Sequence, residues 1–366
     1  MAGTNPLAAL NIKKLVGFKQ ITPGVITGNV ATALKQCGVD IITDYTGTSS
    51  ETSIGQMTML GNTFYGLKVA TEKTRTASYF SVPLVSDIAM LKEKPVQAGF
   101  RLTQSAVSQK MVSTDMVSFI NSYPVTLIPG IKTNTEDTSV YYEVVLRATK
   151  NTANNDTVVV EVYVNKQKIS TGSSTFYNGK DLHIKFCSSF SPDTDAGFSY
   201  MIGDMYIAEP DYNSDGTVTP QLLGNLSLEP FTVASYAGDR HTNTKNQDIV
   251  TALNTLDPNN DMGVLSVKPV EQAASVTFNA PDIAGKSIYG AALNIVYKDS
   301  IAPNNRLSYQ ITEGTTQMAA ETITTRNADI TGFTTFSKIL ATPEGGGAWN
   351  TDNLKFKLDM VNKGAE

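Results

Sequence analysis

The sequence predicts an all-β protein, built as two antiparallel, jelly-roll-like β-sandwiches with a short N-terminal arm. Segments rich in β-branched and aromatic residues, many with a period of two, recur about every ten residues. Turn formers such as Pro281-Asp282 and Gly345-Gly346-Gly347 separate them. No convincing amphipathic helix lies between the strands, and 366 residues are too many for one ordinary domain.

Residues 1–40 differ from the rest of the chain. Segments 6–16 and 30–37 each have the composition of a short helix, and Thr22-Pro23-Gly24 breaks the continuity between them. We therefore expect residues 1–40 to form an arm that is held against something larger and anchors the protein.

The first sandwich is expected over residues 41–209. Segments 140–147 (VYYEVVLR) and 157–164 (TVVVEVYV) carry the β-branched and aromatic residues that favour strands. Segment 209–220 (EPDYNSDGTVTP) has the composition of a linker, which we place at residues 210–225.

The second sandwich is expected over residues 226–366. Its clearest signal is near the C-terminus, where apolar Leu354, Phe356, Leu358 and Met360 alternate with charged residues. This period of two predicts a strand with one buried face.

Composition excludes several classes of function. The net charge of -5, without a basic block, argues against a nucleic-acid partner. Apolar runs are shorter than the roughly 18 residues that span a bilayer, so membrane insertion is not expected. The N-terminus lacks the pattern of a secretory signal, which predicts a protein made in the cytoplasm and released by lysis or by a dedicated machine.

Cys37 and Cys187 are far apart and have no metal-binding spacing. We expect free, buried thiols; a single disulfide is the alternative.

One segment has partial calcium-binding character. Asp211, Asn213 and Asp215, followed by Gly216, match the first half of a D-x-N-x-D-G loop, whose alternating oxygens suit a hard cation. Leu222 stands where such a loop places its bidentate glutamate. We favour a polar interdomain turn, and any calcium here would stiffen the linker. The sequence predicts no other metal site and no cofactor.

Catalytic signals are weak. His183 lies in a predicted strand and His241 in a polar loop, and the sequence has no G-x-S-x-G elbow. A pair of carboxylates for glycoside hydrolysis remains an alternative. Trp349 is interpreted as a hydrophobic anchor before the last strand, with ligand stacking as the alternative. No catalytic residue is assigned, and we expect a protein that is not an enzyme.

Two sets of segments resemble known proteins. Phe100-Arg101-Leu102, strands 140–148 and 157–168, and segment 198–209 resemble a concanavalin-like, laminin-G-type jelly roll. A second set resembles the C-terminal half of a group of tailed-bacteriophage virion proteins: Leu223-Gly224-Asn225-Leu226, 235–243 (SYAGDRHTN), 287–298 (SIYGAALNIVYK) and 345–364 (GGGAWNTDNLKFKLDMVNKG). In that group a jelly roll precedes a second sandwich on the outside of the particle.

The resemblance implies a non-enzymatic structural protein on the exterior of a tailed phage particle, in the tail, collar or baseplate region. Such a protein acts by assembly with copies of itself and with other virion proteins. The alternatives are an adhesin that binds a host-surface glycan and a capsid decoration protein. A glycan hydrolase or lyase with a sandwich fold is a third alternative.

Overall fold

A computed structural model describes most of the chain. The described residues are 10–40, 44–46, 50–71, 79–104, 115–120, 128–132, 138–150, 154–186, 199–238, 242–243, 247–259, 265–266, 273–297, 305–324 and 333–365.

In the N-terminal part of the chain, the described residues form fourteen strands, one α-helix and one 3₁₀ helix with bounds that lie within the described residues. The strands are β1 (Ile12–Val16), β2 (Gly24–Val25), β3 (Asp44–Thr46), β4 (Ser50–Met59), β5 (Asn62–Thr71), β6 (Tyr79–Val85), β7 (Val96–Gln104), β8 (Asp115–Ile120), β9 (Ile128–Lys132), β10 (Thr138–Lys150), β11 (Asn155–Val164), β12 (Gln167–Tyr177), β13 (Leu182–Phe186) and β14 (Ser199–Ala208). Helix α1 is Val30–Gln36, and the 3₁₀ helix is Ile88–Lys92.

These strands form two sheets. The nine-stranded sheet has the order β12-β11-β10-β7-β14-β5-β4-β2, with β1 also paired to β14, and the five-stranded sheet has the order β3-β6-β13-β8-β9. The pairings recorded within both sheets are antiparallel. Phe100 of β7 meets Phe186 of β13 edge to face, with ring centroids 5.1 Å apart, so side chains of the two sheets share one core. This is the sandwich that the sequence predicts.

The C-terminal part of the chain forms a smaller sandwich. Its elements are β15 (Thr232–Ala237), β16 (Thr242–Asn243), α2 (Ile249–Asn254), β17 (Leu265–Ser266), β18 (Ala273–Asn279), β19 (Ala291–Tyr297), β20 (Asn305–Glu313), β21 (Thr316–Gln317), β22 (Glu321–Thr324), β23 (Thr334–Leu340) and β24 (Phe356–Ala365). A six-stranded sheet has the order β15-β18-β24-β20-β21 with β22 on β20, while β19 pairs with β23 and β16 with β17.

The core of the second sandwich is aromatic. Tyr309 of β20 packs on Phe336 of β23 with ring centroids 5.3 Å apart, which joins the larger sheet to the β19–β23 pair. Trp349 is 7 % exposed in the same core, and its indole N–H donates to the carbonyl of Ala341 at 3.1 Å. The described structure therefore places Trp349 as an anchor, as expected.

The N-terminal segment differs in part from the prediction. Helix α1 confirms the helix expected at 30–37, and Asn29 caps it by accepting a hydrogen bond from the amide of Thr32. The helix predicted over 6–16 is wrong for residues 12–16, which form β1. Its backbone pairs with β14, and Ile12 is buried against that strand's neighbours, so tertiary pairing overrides a weak helical preference.

Residues 10–40 also contribute to the core of the first sandwich. Val16, Phe18, Val30 and Leu34 belong to the same buried cluster as the facing sheets. Residues 209–231 connect the two sandwiches without helix or strand and include the linker predicted at 210–225. Among the described residues, no helix is both long and apolar enough to cross a membrane.

A substitution of Phe18 tests whether the N-terminal segment is part of the core of the first sandwich. Phe18 is 1 % exposed, so we expect Phe18→Ala to lower the free energy of unfolding by about 3–5 kcal/mol. Val25 is 46 % exposed, so Val25→Ala is the matched control and should change stability by less than about 0.5 kcal/mol. Urea unfolding measures both. If residues 10–40 did not contribute to the core, Phe18→Ala and Val25→Ala would have the same free energy of unfolding.

Candidate functional site

A cluster of buried titratable side chains lies on the outer face of the nine-stranded sheet. Every residue of β7 is buried, although only alternate residues face the sandwich core. On the other face, Arg101 lies opposite Tyr141 of β10, while Gly99 lies opposite Glu143 of β10 and Tyr206 of β14. The connection between the sandwiches covers these side chains.

Glu143 is the centre of this cluster and is 1 % exposed. Its carboxylate accepts hydrogen bonds from the amides of Leu223 and Gly224, at 2.7 and 2.9 Å, and from the hydroxyl of Tyr206 at 2.6 Å. Burial raises the pKa of Glu143, and these three donors offset only part of that effect. Burial likewise raises the pKa of Tyr206 well above its ordinary value.

Arg101 and Asp204 hold the next part of the connection. The Arg101 guanidinium donates to the side-chain oxygen of Asn225 at 2.5 Å and to the carbonyl of Leu226 at 2.9 Å. Its Nε lies 3.3 Å from a carboxylate oxygen of Asp204, and the other oxygen accepts from the amide of Leu228 at 3.0 Å. Glu143, Arg101 and Asp204 therefore bind five hydrogen-bonding groups of residues 223–228.

The local backbone is shaped to bring these groups together. Asp204 has φ +46° where the register of β14 against β7 shifts, so a β-bulge turns its carboxylate toward Arg101. Gly99 lies under the ring of Tyr206, and a Cβ at position 99 would stand 2.1 Å from that ring. Any side chain at residue 99 would displace Tyr206 from Glu143.

A cluster of perturbed acids often marks a catalytic centre. Here the backbone amides of the connection occupy the Glu143 carboxylate, and the guanidinium of Arg101 is taken up by Asn225 and Leu226. The polar groups of this cluster therefore hold residues 221–228 against the sheet by hydrogen bonds. The sequence analysis missed this role, and the signal available was the polar alternation of Gln97, Gly99, Arg101 and Thr103 in an otherwise apolar strand.

A second cluster joins three parts of the chain. Glu229 of the connection lies 2.6 Å from the ammonium group of Lys19 in the N-terminal segment and 2.5 Å from that of Lys286 in the second sandwich. Burial alone would raise the pKa of Glu229, but these cations and the Ser227 hydroxyl lower it to about 2. The stabilisation from this cluster is present above pH 4.5 and is lost as the pH falls toward 2.

A cleft of about 520 Å³ lies beside His183 on the five-stranded sheet. Its lining includes Ser86, Lys180, Asp181 and His183. The Nε2 atom of His183 is 2.8 Å from a carboxylate oxygen of Asp181, and Nδ1 is 3.4 Å from the hydroxyl of Ser81. The cleft is therefore lined by a carboxylate and an imidazole that contact each other, together with a lysine.

Serine, histidine and aspartate also form hydrolase triads, but this arrangement differs from one. A nucleophilic serine must reach a substrate carbonyl. Ser81 of β6 is only 5 % exposed, so a substrate has little access to its hydroxyl. The separation of 3.4 Å is also long for a hydrogen bond that activates a nucleophile. Ser81 and Asp181 orient the imidazole of His183, as expected for a satisfied histidine in a strand.

The calcium candidates lie in an exposed turn with other partners. Asp211 forms an ion pair with Lys94, and Asp215 accepts from the amide and hydroxyl of Thr217. The side-chain amide of Asn213 donates to the Thr217 hydroxyl, so its nitrogen faces the turn. In the described part of the chain, no three His, Cys, Asp or Glu side chains are grouped as metal ligands. The polar turn favoured by the sequence stays a prediction, with calcium binding at Asp211, Asn213 and Asp215 as its alternative.

The remaining sequence candidates have simple surroundings. Cys37 is free and buried, and burial together with Asp257 raises the pKa of its thiol to about 12. Cys37 thus matches the free, buried thiol that the sequence predicts. Cys187 and His241 lie outside the described residues.

Comparisons with known proteins find solved structures of low sequence identity. No family model matches the sequence, and no curated protein matches it. Among solved structures, a tandem CBM22-1–CBM22-2 domain of Xyn10C from Paenibacillus barcinonensis is 8 % identical, with 100 % of this chain and 93 % of that chain covered and a TM-score of 0.24.

Two toxin domains are similarly distant. The binding domain of botulinum neurotoxin serotype C1 is 10 % identical over 88 % of this chain and 90 % of its own, with a TM-score of 0.27. The receptor-binding domain of botulinum neurotoxin type G is 9 % identical over 87 % and 80 % of the two chains, with a TM-score of 0.26.

Substitutions of Glu143 test whether this carboxylate holds the connection, residues 209–231, against the nine-stranded sheet. Glu143→Ala leaves two buried amides without their acceptor, so we expect a loss of about 2–4 kcal/mol in unfolding free energy at pH 7. Glu143→Gln keeps one acceptor oxygen and should cost less. Exposed Glu93→Ala is the control and should be near neutral.

Urea unfolding gives these three values, and limited proteolysis within residues 209–231 gives the local readout. We expect cleavage there to accelerate in the order Glu93→Ala, Glu143→Gln, Glu143→Ala. Equal cleavage rates in all three variants would show that Glu143 does not hold the connection.

Proposed function

We propose that this protein is a non-enzymatic structural component on the exterior of a tailed phage particle, in its tail, collar or baseplate region. It acts by assembly with itself and with other virion proteins. The observation that carries the proposal is the set of hydrogen bonds by which Glu143, Arg101 and Asp204 fasten the connection between the two sandwiches to the nine-stranded sheet. A rigid two-domain block suits a part that must transmit fixed geometry between neighbours.

The N-terminal segment adds to this rigidity. Ile21 forms a backbone bridge with Leu256, and the amide of Thr22 donates to the Leu256 carbonyl at 2.7 Å. Asn259 bonds Thr27 through its side-chain oxygen at 2.7 Å. The segment that enters the first core thus also contacts the second half of the chain. Two sandwiches joined only by a flexible linker would have neither contact.

The surface supports the same function. Charged residues make up 17 % of the chain, below the roughly 25 % typical of globular proteins. The surface is therefore built mainly from neutral polar side chains, which form interfaces with little desolvation of charge. The resemblance of segments 223–226 and 345–364 to tailed-phage virion proteins supports the proposal that this block belongs to such a particle. A capsid decoration protein differs only in where the block attaches.

Sedimentation of lysates from producing cells tests the proposal. We expect the chain to travel with intact particles through a density gradient and to resist a wash at high salt. The control is the purified chain added to a lysate without particles, which should remain at the top. Recovery of all the chain in the soluble fraction of a particle-producing lysate would refute the structural function.

A glycan-binding adhesin is the second candidate, and the cleft at His183 favours it. Asp181, Lys180 and His183 line an open cleft with polar side chains of the kind that bind sugar hydroxyls. If the cleft binds glycan, Asp181→Ala should weaken binding about tenfold or more in a glycan array or calorimetry. Exposed Asp352→Ala is the matched control. Equal binding by both variants would exclude this cleft as the glycan site.

A further inference from the structure

Strands β4 and β5 form a two-stranded ribbon whose tip is apolar. Leu60, in the turn, is 101 % exposed and is the most exposed large apolar side chain among the described residues. Met57 and Met59 precede it and are partly exposed. The recorded pairings of the ribbon with other strands stop at Ile54 and Leu67, and beyond these residues the recorded pairs are between β4 and β5 themselves. The tip is therefore a small apolar patch at the end of the ribbon.

The backbone of the turn makes this leucine unusual. Leu60 and Gly61 connect β4 to β5 with φ values of +50° and +78°. Two positive φ values are typical of the type I′ turn, which favours asparagine or aspartate at its first position. The β11–β12 hairpin has a turn of the same kind, with Asn165 and Lys166 at φ +49° and +65°. Leu60 thus occupies a position that strains a bulky side chain, and such strain often marks a functional residue.

Two cations hold the base of the ribbon. The Cζ atom of Arg101 lies 4.6 Å from the centroid of the Phe64 ring, and the ammonium nitrogen of Lys19 lies 5.7 Å from that of the Tyr65 ring. Arg101 is itself buried and bonds the connection. The ribbon is thus attached at its base, and its apolar tip lies beyond these contacts.

The polar groups next to the tip already have partners. The hydroxyls of Thr58 and Thr63 are hydrogen-bonded to each other at 3.1 Å, and the side-chain amide of Asn62 donates to the carbonyl of Leu60 at 3.5 Å. Residues 52–67 include no charged side chain. Moving the tip out of water therefore buries no charge and leaves these groups bonded.

These features favour a lipid surface over a protein partner. A stable protein interface buries about 1,200–2,000 Å² and includes directional hydrogen bonds. The tip is a single two-residue turn, and its neighbouring polar groups are bonded within the ribbon. Hydrocarbon needs no directional partner. The apolar runs of the sequence are too short to span a bilayer, but side chains of a turn need only reach the boundary between head groups and acyl chains.

We propose that the tip of the β4–β5 ribbon, formed by Met57, Met59 and Leu60, inserts into the surface of a lipid bilayer. Zwitterionic lipids fit best, because the ribbon is neutral at its tip and the whole chain has a net charge of -5. The inference goes beyond the proposed function, since this chain could build a particle without any contact with lipid. One tip binds weakly, and many copies on one surface bind strongly together.

Co-sedimentation with phosphatidylcholine vesicles tests the insertion. The lipid concentration must reach about 10 mM, because so small a tip binds more weakly than one acyl chain, whose association constant is about 10⁴ M⁻¹. We expect the purified wild-type chain to sediment with the vesicles and Leu60→Asn to bind roughly tenfold more weakly or worse. Asparagine suits the backbone of this turn, so Leu60→Asn should melt no lower than wild type. Ile169→Asn removes a side chain that is 57 % exposed elsewhere, and this control should bind like wild type.

A tryptophan at the tip gives a local readout. The sequence has one tryptophan, Trp349, which is 7 % exposed, so Leu60→Trp adds an indole in a different environment. We expect its emission to move to shorter wavelength with vesicles and to be quenched by brominated acyl chains. A wild-type chain that stays in the supernatant up to about 10 mM lipid, or equal binding by wild type and Leu60→Asn, would overturn the proposal.

Particle sedimentation of the same variants separates this inference from the proposed function. Vesicle binding by a chain that never travels with particles would refute the structural function and leave the lipid contact standing. Release of Leu60→Asn from particles, with no vesicle binding by wild type, would show that the tip contacts a protein. That result would overturn the lipid contact and leave the structural function standing.

Discussion

The buried carboxylate of Glu143 is the interaction on which the arrangement of this protein depends. A carboxylate that is 1 % exposed is costly unless donors surround it, and two of its three donors are backbone amides of Leu223 and Gly224. The cost of burial is thus offset only when the connection is docked. Residues 221–228 then cover Gln97 and Arg101, and the carbonyls of Gln221 and Leu226 accept hydrogen bonds from these two side chains.

The docked connection in turn sets where the second sandwich begins. From Leu228 the chain passes to Glu229, which Lys19 and Lys286 hold from both sides. The N-terminal segment reaches this point because β1 pairs with β14, the strand that also carries Asp204 and Tyr206. Strand β14 therefore contacts the core of the first sandwich, the connection and the N-terminal segment. This is why all three must be ordered together.

The sequence was sufficient to predict the fold class, the short helix at 30–37 and the anchoring of Trp349, because each depends on local pattern and on amphipathic alternation. It was insufficient for β1, where a pairing with residues almost 200 positions away in the chain decides the conformation. The Glu143 cluster was missed for a related reason. Its donors are amides of Leu223 and Gly224, and backbone groups leave no mark in residue type.

Carboxyl groups with shifted pKa values and a histidine with two hydrogen-bond partners are commonly taken as evidence of catalysis. In this chain, whether a substrate could reach these groups must be considered as well. Glu143 has a raised pKa because backbone covers it, while Ser81 lies near His183 but beneath a strand. In both places the groups that would react are those that hold the fold together. Among the described residues, the cleft beside Asp181 is open to solvent, so the side chains that line it are accessible to other molecules.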